Sequence, residues 1–324
     1  MRALVCKEWG PIEDLSVEEV PDPEAGPGSV VIDVKAAGVN FPDALIVQGL
    51  YQYKPPLPFS PGSEVAGIVS EIGEGVTHLS IGDRVTAVTV WGGFAEKLLV
   101  EDARRCIPVP DGLDMATASA FVMAYSTSYH ALVDRADQQP GEKLLVLGAA
   151  GGVGLAAVEI GKALGLEVTA AASTDEKLAI CIEHGADHTI NYVNENLKEA
   201  AKRISGGGFD IVYDPVGGDY TEQALRATGW KGRLLVVGFA AGEIPSIPLN
   251  LTLLKGCDIR GVFWGSFLER EPAANATNLE ALMGMFAAGT IRPYISARYT
   301  LETTADAIRY LADRKASGKV IIEL

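Results

Sequence analysis

Seven consecutive residues, Gly148-Ala149-Ala150-Gly151-Gly152-Val153-Gly154, have the types and order needed to hold a phosphate against backbone amides. They follow Lys143-Leu144-Leu145-Val146-Leu147, a short apolar run that reads as a buried strand, and they precede helix-compatible residues 155–164. In a strand, Gly-rich turn and helix, Gly151 lets backbone N–H groups approach a pyrophosphate. The helix start adds unpaired donors and a positive dipole, and Gly154 allows close packing of helix on strand. Ala149 stands where the first Gly of G-x-G-x-x-G is usual, and the same glycines would also serve an ordinary tight turn. The elements that follow favour the dinucleotide. Gly165 suits a helix C-terminus, and Glu167 to Ala172 reads as a second strand about 20 residues beyond the turn, where such folds read the adenosine ribose. Neither Ala172 nor Ser173 is acidic, and Ser173, Thr174 and Lys177 follow, which predicts NADPH rather than NADH. Lys177 has two readings at this level: a ligand for the 2′-phosphate, or a solvated helix residue beside Asp175 and Glu176. Tyr192, ending the next strand-like run, can flank the same site.

These elements need a sizeable scaffold, and 324 residues with 48% hydrophobic and 21% charged content describe a globular chain of two domains. The formal charge of −15 argues against a nucleic-acid partner. No run reaches transmembrane length, and Arg2, Lys7 and Glu8 come too early for a secretory signal, so no membrane association and a cytoplasmic location are expected. Cys6, Cys106, Cys181 and Cys257 are far apart with no C-x-x-C, which predicts four buried thiols and neither a disulfide framework nor a Cys-rich zinc site.

From Met1 to about Val109, short apolar segments such as Val30 to Val34, Val65 to Val69 and Arg84 to Val88 are split by Gly and Pro with no long helix between them, which predicts a small barrel or sandwich. Asn40-Phe41-Pro42-Asp43 opens a predicted helix over Ala44 to Gln48, and a Pro-flanked loop with Tyr51 and Tyr53 leaves it. Asp114 is the expected N-cap of a helix running to His130. Beyond the Gly-rich turn the βα alternation continues through strands near Phe209 to Tyr213, Arg233 to Val237 and Asp258 to Phe263, making a six-stranded doubly wound sheet. Gly238-Phe239-Ala240 follows a strand C-terminus, where such sheets bind ligands. Helices are expected over Asn278 to Ala288 and Thr304 to Lys315, and the C-terminal piece is expected to return to the first domain.

With these motifs assembled, the chain resembles the medium-chain dehydrogenase/reductases, and within them the zeta-crystallin-like NADPH:quinone oxidoreductases. The resemblance rests on Gly38-Val39-Asn40-Phe41-x-Asp43, Pro61-Gly62-x-Glu64-x-x-Gly67, Ile81-Gly82-Asp83-Arg84-Val85, Gly92-Gly93-Phe94-Ala95-Glu96, the Ala149 to Gly154 turn and Gly318-Lys319-Val320. It implies an α/β fold: a GroES-like β-rich catalytic domain, residues 1–121 plus 264–324, and a Rossmann domain, residues 122–263, with a doubly wound parallel six-stranded sheet. It also implies hydride transfer from NADPH to a quinone or an α,β-unsaturated carbonyl. Asn40, Asp43 and Tyr51 match family positions lining the nicotinamide cleft, where they would face the Gly-rich turn. Tyr51 is the one chemically suited to donate a proton. The implied cofactor contacts are Asn40, Thr127, Ala150, Gly151, Gly152, Val153, Ser173, Lys177, Tyr192, Gly238, Phe239, Phe263 and Lys319. A Tyr in a similar Gly-x-Tyr loop serves the related 2-enoyl thioester reductases, the alternative enzyme reading. A non-catalytic crystallin-like or RNA-binding role is the alternative of another class, and the acidic balance speaks against RNA.

Zinc-dependent relatives carry a Cys where this chain has Val39 or Asn40, a His where it has Ser63, and a Cys-rich loop that is missing here. His78, His130, His184 and His188 have no ligand spacing and are each expected at the surface. No metal is therefore expected, and Glu64 is expected to be structural or hydrogen-bonded in the cleft. Glu159 stands where the branch usually has Gln. Relatives commonly pair through the edge of the nucleotide-binding sheet, here Asp258 to Phe263, so a homodimer is expected.

Overall fold

A computed structural model describes Met1–Leu324, and its internal contacts divide the chain into two compact units. The first comprises Met1–Met123 and Pro293–Leu324, the second Ala124–Arg292.

In the first unit, β-branched runs form a seven-stranded sheet. The order along its main path is Ile295–Thr300, Lys319–Glu323, Val30–Val39, Glu64–Ile72, Arg84–Val88 and Cys106–Pro108. The remaining strand, Lys97–Val100, lies off that path and pairs with Val30–Val39. Val30, Ile32, Val65, Val69, Val85, Phe94 and Ile322 fill the core beneath it. The C-terminal strand is interior to the sheet, as the expected return requires. Its antiparallel register sets Val320 opposite Val39 and Ile321 opposite Gly38. One residue further along, this register carries Lys319 to the end of the strand that leads into Asn40.

The second unit holds the six-stranded parallel sheet. In sequence order its strands are Lys143–Leu147, Glu167–Ala172, His188–Asn191, Phe209–Asp214, Thr228–Val236 and Asp258–Gly261. In space they lie 3-2-1-4-5-6, the doubly wound arrangement of a dinucleotide-binding sheet.

Several elements differ from expectation. The helix anticipated from Asp114 to His130 is broken into Met115–Ala118 and Val122–Tyr129, followed by π-helical turns over His130–Arg135. Asp114 does cap its start, taking the Thr117 N–H at 2.9 Å. The break has a physical use: a helix start leaves its first amides unpaired, and Met123 donates its N–H to the Glu64 carboxylate at 2.9 Å. The sixth strand stops at Gly261, and Phe263 instead caps a helix, Trp264–Arg270. That helix and Asn250–Lys255 escaped the sequence reading, being only seven and six residues long. The chain re-enters the first unit at Pro293 rather than 264, because Pro272–Ala287 and its predecessor pack within the second. There the His130 ring stacks on Phe267 at 4.0 Å, and Asn278 donates to Asp134 at 2.7 Å. No helix is long and apolar enough to cross a membrane.

Candidate functional site

Five polar side chains from three segments meet in the first unit: Asn40 and Asp43 around the start of the Phe41–Ile46 helix, Ser63 and Glu64 at the start of a strand, and Lys319 from the C-terminal strand. All are buried, with Asn40 the most exposed at 9%, Asp43 at 1% and Glu64 at 0%. Such burial is tolerable only when every charge has a partner. Lys319 Nζ lies 2.9 Å from Glu64 Oε2 and donates to Asn40 Oδ1 at 2.6 Å. Asn40 Nδ2 donates to Glu64 Oε2 and to the Gly38 carbonyl, each at 3.2 Å. Gly38 is required by packing, since a Cβ there would fall 2.2 Å from the Ser119 carbonyl oxygen and 3.0 Å from Glu64.

Asp43 stands slightly apart from the cation. It accepts the Asn40 backbone N–H at 2.7 Å and the Ser63 hydroxyl at 3.1 Å. Burial pushes its carboxyl from the ordinary 3.8 up to about 7, outweighing those two hydrogen bonds and the attraction of Lys319. Sequence reasoning left Ser63 without a role here; its signal was its place two residues after Pro61 and directly before Glu64.

Tyr51 lies on the loop after the helix, packed partly against the β-sheet core, with its ring 6.0 Å from that of Tyr53. The loop is anchored on Trp9: a Cβ at Gly49 would sit 3.1 Å from the indole, and Lys54 Nζ lies 5.3 Å over its ring. Burial, then Tyr53 and Asp43, raise the Tyr51 hydroxyl above its ordinary value. It is therefore a weaker acid than a free tyrosine, but its O–H remains a hydrogen-bond donor across the physiological range.

In the second unit the Gly-rich turn has the geometry its sequence predicts. Gly148 adopts φ 55°, the Gly151 N–H closes back on the Gly148 carbonyl at 2.9 Å, and Gly151 begins the Gly152–Ala163 helix with no side chain capping it. The first-turn amides of Gly152 and Val153 are thus offered to an anion. A Cβ at Gly154 would fall 2.3 Å from the Gly148 carbonyl oxygen, so only glycine permits this approach. These residues fit a pyrophosphate. At the end of the second strand Ala172 is buried, Ser173 is half-buried, and Thr174 caps the next helix by accepting the Lys177 N–H at 3.3 Å. Tyr192 follows the third strand with its ring 4.6 Å from Tyr220. Thr127 is half-buried on its helix, and Phe263 is 45% exposed at a helix start. Gly238 and Phe239 begin the loop after the fifth strand, where the Phe239 ring crowds Gly217. That neighbouring loop, Asp214 to Gly218, also follows a strand C-terminus, where such sheets bind ligands, and it is organised by Asp214. Its carboxylate accepts the Val216 and Gly217 N–H groups at 2.9 Å each and the Thr221 hydroxyl at 2.5 Å.

Two expectations about histidine are corrected. His130 is buried, bonded to Asp134 at 2.7 Å. His184 lies 2.5 Å from buried Glu159, which also accepts from the Tyr125 hydroxyl at 2.6 Å and the Arg292 N–H at 3.0 Å. The carboxyl at 159, where the resemblance led one to expect Gln, is thus held by three hydrogen-bond partners. His78 and His188 are exposed, and all four cysteines are buried free thiols.

Two family models match the chain: the alcohol dehydrogenase GroES-like domain over residues 26–111 and the zinc-binding dehydrogenase domain over residues 152–280. The mouse protein called quinone oxidoreductase-like protein 2 is 37% identical over 325 residues, spanning 100% of this chain and 92% of its own length. Among solved structures, the quinone oxidoreductase of Thermus thermophilus, described alone and in complex with NADPH, is 34% identical with a TM-score of 0.84 and full coverage of both chains. The Escherichia coli quinone oxidoreductase complexed with NADPH is 27% identical with a TM-score of 0.92, again with full coverage of both chains.

Proposed function

This chain belongs to the medium-chain dehydrogenase/reductases, in their quinone oxidoreductase-like branch, and from that premise we propose that it passes hydride from NADPH to a quinone or another conjugated carbonyl without zinc. It is an oxidoreductase; the acceptor class and the independence from metal are the finer parts of this reading.

The observation that carries it is the make-up of the buried cluster. An amide, a hydroxyl, two carboxyls and one ammonium stand there with no thiolate or imidazole, and no three His, Cys, Asp or Glu side chains in the protein are grouped to hold a metal ion. Oxidising an alcohol without a Lewis acid would need a strong base. Reducing an activated acceptor needs proximity, exclusion of water and a donor for the oxygen that gains charge. Bound NADPH supplies the hydride from its nicotinamide ring. The protein's part begins at the Gly151-capped helix, whose amides hold the pyrophosphate, while Ser173, Lys177 and Tyr192 take the 2′-phosphate. Tyr51 offers its hydroxyl to the acceptor oxygen.

The test is NADPH and NADH oxidation against quinones, small enones and enoyl thioesters, before and after chelation. Quinone or enone turnover with NADPH, undiminished by chelator, is the expected result. Chelator-sensitive activity would defeat the metal-free part, and turnover confined to enoyl thioesters would transfer the reading to that reductase class.

A further inference from the structure

Ser128 and Tyr213 place two hydroxyls in the interior of the second unit, each residue 0% exposed, where an alanine and a phenylalanine would fill the space with no polar group to satisfy. Their hydrogens can settle in only one way. Ser128 Oγ lies 2.8 Å from the Val153 carbonyl oxygen and 2.9 Å from Tyr213 Oη. A carbonyl only accepts, so the single Ser128 hydrogen goes to Val153 and Tyr213 must donate to Ser128. Burial pushes the Tyr213 hydroxyl up, so this donor keeps its proton throughout the physiological range. A serine within a helix ordinarily turns back on its own helix; this one, on Val122–Tyr129, reaches across to another. Val153 is the second residue of the Gly152–Ala163 helix, and the Leu155 N–H is the first to return into that helix, bonding to the Gly151 carbonyl at 2.8 Å. The Gly154 N–H therefore lies outside the helical ladder, and it belongs to the same peptide group as the Val153 carbonyl. A donor on the carbonyl oxygen of a peptide fixes the plane of its N–H and strengthens that N–H as a donor.

We propose that Tyr213 and Ser128 are positioning residues for the Gly-rich turn: a relay running from the Tyr213 O–H through the Ser128 O–H to the peptide between Val153 and Gly154, whose N–H it aims and polarises toward a bound pyrophosphate. This holds on the reading above, in which the turn binds the pyrophosphate of NADPH. Both hydroxyls are fully buried and act through the peptide, not on the cofactor itself. Tyr213 belongs to the Phe209–Asp214 strand, which pairs with Lys143–Leu147, so the relay also ties the start of the helix to the centre of the sheet.

The experiment measures NADPH dissociation constants by cofactor fluorescence, and the phosphorus NMR resonances of the bound cofactor, in which the pyrophosphate and the 2′-phosphate report separately. Ser128→Ala should weaken NADPH about three- to tenfold, the span of one neutral hydrogen bond, and move the pyrophosphate resonances from their wild-type bound positions while the 2′-phosphate resonance stays. Tyr213→Phe leaves the Ser128 hydroxyl in place, so its loss should be smaller, about twofold, and it should add nothing in the Ser128→Ala background, because Tyr213 acts only through Ser128. Should Ser128→Ala not fold, since it leaves the Tyr213 hydroxyl buried and unpaired, the double variant Ser128→Ala/Tyr213→Phe removes both hydroxyls together and is expected to show the same affinity loss and the same selective pyrophosphate shift. Wild-type affinity in the Ser128→Ala and double variants, losses that multiply instead of coinciding, or pyrophosphate and 2′-phosphate resonances that both move or both stay, as a merely structural role would give, overturns the relay. A wild type that does not bind NADPH, or binds it with the pyrophosphate resonances unmoved from free cofactor, removes the pyrophosphate reading of the turn along with the relay, which tells the two failures apart.

Discussion

At the residue scale, burial pushes both the Tyr51 hydroxyl and the Asp43 carboxyl upward, and each keeps its proton to a higher pH than it would in water. Tyr51 becomes a poorer acid, so its contribution is a hydrogen bond to a developing oxyanion. Tyr51→Phe is expected to lower enone turnover more than quinone turnover, because an enolate needs stabilising as hydride arrives whereas a reduced quinone takes protons from water. Loss of a main oxyanion donor costs about 2.7–4 kcal/mol. Turnover numbers for one quinone and one enone at saturating NADPH decide it, and equal small losses would leave Tyr51 as a packing residue. For Asp43 the folded protein holds its proton up to about 7 while the ordinary value is 3.8. Between those values the native state binds more protons than the unfolded one, so stability from this group declines as pH rises and its ionisation penalty is fully felt above pH 7. Asn keeps an oxygen for the Asn40 N–H and cannot ionise. Asp43→Asn should therefore melt higher than wild type at pH 8, with the gap narrowing toward pH 4; a gap that widens on acidification would contradict this.

At the element scale, the strand–turn–helix unit depends on an approach that only glycine permits. Gly154→Ala places a methyl carbon 2.3 Å from the Gly148 carbonyl oxygen, so the helix must shift away from the strand and carry its first-turn amides with it. At least a tenfold loss of NADPH affinity is expected, about 1.4 kcal/mol, accompanied by a lower melting temperature. Titration of the variant by cofactor fluorescence checks it, and wild-type affinity would show that the turn does not hold the pyrophosphate. Lys177 opens the next helix beside half-buried Ser173, a placement suited to a 2′-phosphate. A charge-assisted hydrogen bond contributes roughly 1.5–3 kcal/mol, so Lys177→Ala should weaken NADPH about ten- to a hundredfold and spare NADH. Parallel loss for both cofactors would return Lys177 to the role of a solvated helix residue. Short elements are where periodicity failed. The Asn250–Lys255 and Trp264–Arg270 helices span less than two full turns, too few for an apolar stripe to declare itself.

At the scale of the whole molecule, the Asp258–Gly261 strand pairs on one side only, and apolar side chains of the adjoining segments remain exposed: Trp230 at 70%, Leu249 at 72% and Leu253 at 81%. An open edge with apolar surroundings favours a symmetric partner. Sedimentation at micromolar concentration is expected to find a homodimer, and Leu253→Glu/Leu254→Glu to shift it toward monomer; a wild type that sediments only as a monomer would end this expectation. Much of the architecture was legible without coordinates. The alternation of strand and helix, the Gly148 to Gly154 turn and the non-acidic Ala172 and Ser173 are local patterns, and local patterns survive in a linear reading because steric and hydrogen-bonding rules act over a few residues. The ligand surroundings were less so. That Lys319, 279 positions from Asn40, grips its amide follows from strand register, and register is set by packing of the whole β-sheet. The burial that raises Asp43, the Met123 amide that Glu64 captures, and the pairing of Glu159 with His184 are likewise decided in three dimensions. Desolvation depends on what surrounds a group from every side, and no spacing along the chain encodes that.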